Sequence, residues 1–281
     1  MLALRKKGKP IIPPSYGMRD VPRCSKGLFG SVIQEVAERE HFVDSMGELL
    51  LLCNEVMRRQ QRAMKKKKAK PLSLEYIADR LDVDDPISGY FVRTARRPAA
   101  PPARAASEVD KDRDVVAPDG SRWVEGMLQG FIVVTTFTNW QKTFRWDSMH
   151  ENAFSYDSEE LAEKMKKGER IHDADGTISE ELQSSVRCGD PWNEGIIWPR
   201  IAEISLLGGL GCGKALLSLV IENLENMSSS PKKNYDYVVL QATDNSVPFY
   251  ESMGFVRVGA ISEDDEFDQK QRCGTGNLNN N

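Results

Sequence analysis

The last third of this chain predicts a mixed α/β architecture, and three runs of residues carry the prediction. Ile201 to Leu207 is an apolar strand, a glycine turn follows it, and Ala215 to Leu224 sets Leu216, Leu217, Val220, Ile221 and Leu224 at helical spacing. After a Ser, Pro and Lys loop at 228–234, Tyr237 to Ala242 reads as a second strand, followed by a short helix from Val247 to Met253 and a strand from Phe255 to Val258. Far upstream, Met127 to Thr138 is rich in Val, Ile, Phe and Thr and reads as a further strand. Strands alternating with helices call for a central mixed sheet flanked by helices.

The elements before the last third follow from the same two periodicities. Residues 1–27 mix four prolines with glycines and cations and offer no periodic apolar face, so no regular element is expected there. From Leu28 to Met64 apolar residues recur at helical spacing, which predicts one or two helices with a break near Gly47. Leu72 to Leu81 is a short amphipathic helix with Ser73 as N-cap, stopped by Asp84-Asp85-Pro86. Tyr90 to Arg93 reads as a strand, Arg97 to Ala106 as a Pro and Ala linker, and Pro118-Asp119-Gly120 as a turn ahead of the Met127 strand. Between 139 and 195 only a helix near Ser158 to Lys167 is legible.

The 281 residues have room for one sizeable domain plus appendages. With 40% hydrophobic and 28% charged residues the chain is of ordinary soluble composition, and no apolar run has the length of a membrane span. No secretory leader is recognisable in the basic start, so an intracellular protein, cytoplasmic or nuclear, is expected. The five cysteines are scattered, without a CxxC pair or histidines at ligand spacing, which indicates neither a disulfide framework nor a zinc site. Net charge is −4, yet residues 1–70 hold 16 Lys and Arg against 7 Asp and Glu, and the remainder 22 against 35. A basic head with Lys65 to Lys68 has the look of a nuclear-import patch or of a solvated helix end, and any nucleic-acid contact is confined to it. The acidic body suits a basic amine partner better than phosphate.

The chemistry concentrates in Gly208-Gly209-Leu210-Gly211-Cys212-Gly213-Lys214, between a strand and a helix. Backbone N–H groups of such a turn, with the positive end of the helix behind them, form an anion cradle suited to phosphate or pyrophosphate. Gly208, Gly213 and Lys214 satisfy the P-loop pattern, but Ala215 stands where that pattern needs the magnesium-binding hydroxyl. The dinucleotide fingerprint G-x-G-x-x-G is not met.

A pyrophosphate of coenzyme A is the other ligand that would fit. Ala202-Glu203-Ile204-Ser205-Leu206-Leu207, with Gly209 to Leu217 after it, resembles the strand, pyrophosphate loop and helix of the GNAT acetyltransferase superfamily. Asn245, Phe249-Tyr250 and Gly254-Phe255 follow the superfamily's N-x-x-A-x-x-F-Y-x-x-x-G-F segment. The resemblance implies a GNAT-like domain over 71–262, with insertions at about 95–120 and 139–195, a basic and partly helical segment over 1–70, and a disordered acidic and Asn-rich tail over 263–281. It implies transfer of an acetyl group from acetyl-CoA directly to a primary amine, which could belong to a protein lysine, an N-terminus, a small molecule or a basic protein acceptor.

By the same resemblance Leu206, Leu207, Gly209, Leu210, Gly211, Cys212, Gly213, Lys214 and Ala215 would hold the cofactor, and Asn245 would contact it or its water. Tyr250 would protonate the departing thiolate, and Glu203 would take the proton of the amine. The opposing readings are a Tyr250 that is only a packed aromatic and a Glu203 that is only structural. Three features depart from the family pattern: Gly208 stands where Arg or Gln is usual, the link from Leu207 into the turn is short, and the final strand that normally follows the Gly-Phe motif is not recognisable. They equally fit a GNAT-like module that binds an acyl-CoA or a partner without turnover. Asp173 to Glu181 imitates the centre of an EF-hand loop, but with Gly176 at loop position six the first and last ligand positions are Ile171 and Leu182, so a turn is expected.

Overall fold

The computed structural model describes residues 1–5, 29–63, 70–82, 86–96, 114–116, 122–151, 153–154, 172–227, 235–243 and 245–262. In chain order its elements are β1 (Leu2–Arg5), β2 (Phe29–Glu35), α1 (Arg39–Asp44), α2 (Met46–Ala63), α3 (Leu74–Asp82), β3 (Pro86–Arg96), β4 (Asp114–Val116), β5 (Arg122–Asn139), β6 (Arg145–Trp146), α4 (Thr177–Gln183), β7 (Cys188–Asp190), β8 (Gly195–Gly209), α5 (Gly213–Met227), β9 (Tyr237–Leu240), α6 (Val247–Glu251), β10 (Val256–Arg257) and β11 (Ala260–Ile261). The chain is thus mixed α/β, as expected. The lysine run at 65–68, the Pro and Ala stretch, the helix expected near Ser158 to Lys167 and the tail from Glu263 lie outside the described residues. No helix among the described residues is long and apolar enough to cross a membrane.

The described residues fall into two compact units. One takes those of 1–11, 136–203 and 227–281, the other those of 12–135 and 204–226. β5 and β8 each run from one unit into the other.

In the second unit β2, β3 and β5 form an antiparallel ladder, with β4 on β5. Val36, Phe42, Leu49, Leu52, Ile77, Leu81, Phe91, Phe131, Val133 and Leu206 make one buried cluster, so α1, α2 and α3 each lay an apolar stripe into the same core. Phe42 meets Phe91 edge to face at 5.2 Å. Asn54 of α2 clamps the lead into α3, accepting from Leu72 N–H at 2.8 Å and donating to Leu72 O at 3.3 Å. Ser73 Oγ accepts from Tyr76 N–H at 3.3 Å, the expected N-cap of α3.

One expectation for this unit is corrected. The segment read as helical from Leu28 opens as strand β2, because its β-branched Val32 and Ile33 pair with β3 along the whole run. The break between helices, expected near Gly47, falls two residues earlier at Ser45, whose carbonyl accepts from Leu49 N–H.

In the first unit β8 runs parallel to β9 over Ile201 to Glu203, and β1 lies between β9 and β10, antiparallel to both. The start of the chain, expected to be without regular structure, is therefore an interior strand: Leu2 and Ala3 are buried, and both backbone edges of β1 are paired. Composition hid it because four residues are too few to show a period. Beyond the Gly254-Phe255 motif β10 lies within the strand expected from Phe255 to Val258, and a further strand, β11, pairs with β6 where no final strand was recognisable. Phe137, Phe144, Trp146 and Trp198 pack at centroid separations of 5.1–5.7 Å and build the centre of this core with Leu182, Ile201 and Val239. The stretch 139–195 thus supplies Phe144, Trp146 and Leu182 to the core of this unit. Arg200 grips Asp236 through two N–H···O bonds of 2.6 and 2.8 Å, and Asp236 N–H returns to Arg200 O, which fixes the register of β9 on β8.

Candidate active site

The expected site residues divide between the two units. Leu206, Leu207 and the run Gly209 to Ala215 belong to the second, and Glu203, Asn245 and Tyr250 to the first.

In the second unit the end of β8 lies beside β5. Ser205 Oγ donates to Val133 O, and Leu210 N–H donates to Gln129 O at 2.8 Å, so partners descend on β5 as they climb on β8. Leu206 is buried against Phe131 and Val133, which leaves only its backbone for a ligand, whereas Leu207 is half-buried. The turn that follows is short because it reverses directly into α5: Cys212 O accepts from Leu216 N–H and so begins the helix ladder. Gly211 has φ +91°, a conformation an L side chain adopts only with strain, and nothing stands within 4 Å of where its Cβ would be. The apex of the turn is therefore open. Behind it the first-turn amides of α5, from Gly213 to Ala215, have no acceptor within the helix. Lys214 is exposed at the same end.

These features fit a pyrophosphate: N–H donors at a helix start, an unobstructed glycine apex and a cation. They fit a P-loop metal site poorly. Ala215 has no hydroxyl, the nearest one along α5, that of Ser218, donates back to Lys214 O, and no group of three metal-binding side chains occurs among the described residues.

In the first unit α6 opens after Ser246 with Pro248 in its first turn, where a missing N–H costs nothing. It closes in a Schellman motif. Phe255 N–H donates to Tyr250 O and Gly254 N–H to Glu251 O, with Gly254 at φ +89°. The apolar contact that belongs to this motif is the one between Tyr250 and Phe255, 5.7 Å between centroids. Glu251 adds an ion pair to Arg257 of β10 at 2.7 Å. The spacing F-Y-x-x-x-G-F is thus the spacing of a helix end, and it holds the Tyr250 ring between Phe249 and Phe255.

Tyr250 is buried, and burial pushes its phenol up to about 12. Glu203 is half-buried on β8 opposite Val239, on the face that alternates with buried Ala202 and Ile204. Asn245 is exposed ahead of α6. Asp173, the first acid of the EF-hand-like run, accepts from the N–H groups of Ile178 and Ser179 at the start of α4, so its carboxylate serves a helix end.

Three supporting residues were not anticipated. Gln129 supplies the carbonyl under the turn, Gly130 permits the turn to approach β5, and Arg257 staples α6. A glycine inside a strand is the sequence signal that could have pointed to the second.

Residues 207–269 match a family model described as an acetyltransferase (GNAT) domain. No curated protein and no solved structure matches the chain. The matched residues span the glycine turn, α5, β9 and the Schellman-capped α6, and the chemistry such a domain supports is acyl transfer. Residues 207–269, in the C-terminal third of the chain, are therefore similar to a GNAT acetyltransferase domain.

Proposed function

We propose that the protein is an N-acetyltransferase that moves an acetyl group from acetyl-CoA directly to a primary amine of a protein lysine, an N-terminus or a small molecule. The observation that carries this is the co-occurrence, within one matched stretch, of an open glycine turn at the start of α5 and a tyrosine locked by a helix-ending Gly-Phe. Acetyl-CoA supplies, when bound, an activated thioester. The amides of Gly211 to Ala215 hold the pyrophosphate, with Lys214 adding positive charge. Leu206 and Leu207 offer backbone groups of β8 to the pantetheine arm, since pairing of β8 with β9 ends at Glu203 while β8 runs on to Gly209. Asn245 donates to the cofactor or its water.

Tyr250 is the acid for the departing sulfur: its proton is held to about 12, so its O–H stays intact at working pH and is shared only as negative charge builds on the thiolate. Glu203 receives the proton of the amine, directly or through water. The intracellular setting, cytoplasmic or nuclear, belongs to the same proposal, and so does a basic protein as acceptor, which the acidic body of the chain motivates.

Calorimetric titration with acetyl-CoA and, separately, with ATP tests the cofactor. Acetyl-CoA is expected to bind, and binding of ATP alone would overturn the proposal. Thiol release is then measured over a panel of amines. Tyr250→Phe should lower it about a hundredfold or more, the usual weight of a general acid, and an unchanged rate removes Tyr250 from the mechanism. Acetyl-CoA binding without thiol release on any amine would favour the non-catalytic module.

A further inference from the structure

The second unit carries an arrangement that the family pattern does not contain. The glycine turn, lacking the usual connecting residues, is seated directly on β5. Leu210 N–H and Cys212 Sγ both donate to the same carbonyl, that of Gln129, at 2.8 and 3.4 Å. The next residue of β5 is Gly130, and it lies under the turn. A Cβ there would stand 2.3 Å from Cys212 Sγ, 3.0 Å from Leu216 Cδ1 and 3.3 Å from Gly208 O. The first of these is far inside contact distance, and Cys212 is itself buried. Gly208 is equally constrained, since a Cβ on it would stand 2.7 Å from the Phe131 ring. At Gly211, by contrast, no atom lies within 4 Å of the corresponding position. The turn is thus tightly seated on its β5 side and open at its apex.

We infer that Gly130 is the positioning residue of the cofactor loop: it lets Cys212 sink onto Gln129 and thereby sets the height and tilt of the Gly211 to Ala215 amides that hold the pyrophosphate. This rests on the acetyl-CoA reading above. Gly130 touches no ligand; the Gly208 carbonyl at 3.3 Å asks for a shift of only a few tenths of an ångström, and the Cys212 thiol is the contact that must be relieved, so substitution of Gly130 should be answered by a compensating change at Cys212. Leu216 is the far end of a flexible side chain at 3.0 Å and can give way, whereas the thiol at 2.3 Å cannot.

The test uses the full chain as four proteins: wild type, G130A, C212A and G130A/C212A. Each is titrated with coenzyme A, its thermal midpoint is recorded, and hydrogen exchange is followed at the Leu210 amide. Gly130→Ala should weaken coenzyme A binding about tenfold or more, with G130A/C212A returning to within about threefold of C212A, the coupling expected of residues in contact. Exchange at Leu210 should speed up in G130A and slow again in the double variant. If G130A does not fold, the double variant decides: folding with coenzyme A binding restored supports the inference. G130A that binds as wild type does, or a double variant no better than G130A, overturns it. A wild-type chain that binds no coenzyme A overturns the cofactor reading and this inference with it, and that outcome is distinct because it needs no variant.

Discussion

Tyr250 is held by a helix end as much as by its neighbours. A Cβ at Gly254 would have to adopt φ +89°, so Gly254→Ala should cost roughly 1–2 kcal/mol of stability. It should also loosen the Tyr250–Phe255 contact, and the fall in thiol release should then exceed the fall in folded fraction, both read on one preparation by denaturant melt and rate. Titration offers a second handle. Burial raises Tyr250 and Tyr90 from 10.0 to about 12 and Cys53 from 9.0 to about 11. The folded chain therefore keeps protons that the unfolded chain releases, and its stability is complete below about pH 9 and drains away as pH rises toward 12. Denaturation midpoints at rising pH should show this decline, and it should be shallower in Tyr250→Phe. For catalysis the same shift means that loss of the Tyr250 proton produces no fall in rate near neutral pH. An alkaline limb in kcat centred well below pH 11 would assign the acid to another group.

At the scale of elements the most consequential piece is β1. Four residues join β9 to β10, and their removal would leave two ladders of unpaired N–H and C=O groups next to an apolar core. Deleting residues 1–5 should therefore give a chain that aggregates or shows no cooperative melt. The milder Leu2→Ala should cost about 2–4 kcal/mol by cavity formation at a buried site, measured as a shift in the urea midpoint. α2 and α3 illustrate a different economy. Their stripes were legible at 3.6-residue spacing, but the Asn54 clamp on Leu72 joins residues 18 apart and has no local signature. The same holds for the hydrogen bond from Tyr237 to Glu181 between β9 and α4.

For the whole molecule the feature that matters is that neither unit is one continuous stretch of chain. One is assembled from three segments and the other from two, with β5 and β8 running through both. The residues that match the acetyltransferase family, 207–269, lack Phe131, Phe137, Trp146 and Trp198, and with them the centres of both cores. Expressed alone, that fragment should show no cooperative unfolding transition by circular dichroism, because its strands and helices would have no partners to bury their apolar faces. A sharp melt of the isolated fragment would mean that the core assignments are wrong.

Local pattern was enough for the α/β class, the glycine turn with its helix, the Ser73 cap and the Gly254-Phe255 helix end. Each is set by residues within one or two turns of one another, where propensity and capping chemistry act directly. The interior position of β1, the strand at Phe29–Glu35, the aromatic core of Phe137, Phe144, Trp146 and Trp198, and the seat of the turn on Gln129 and Gly130 were decided only in three dimensions. These depend on which backbone edge and which apolar surface happen to be available far along the chain, and pairing across such distances overrides local preference.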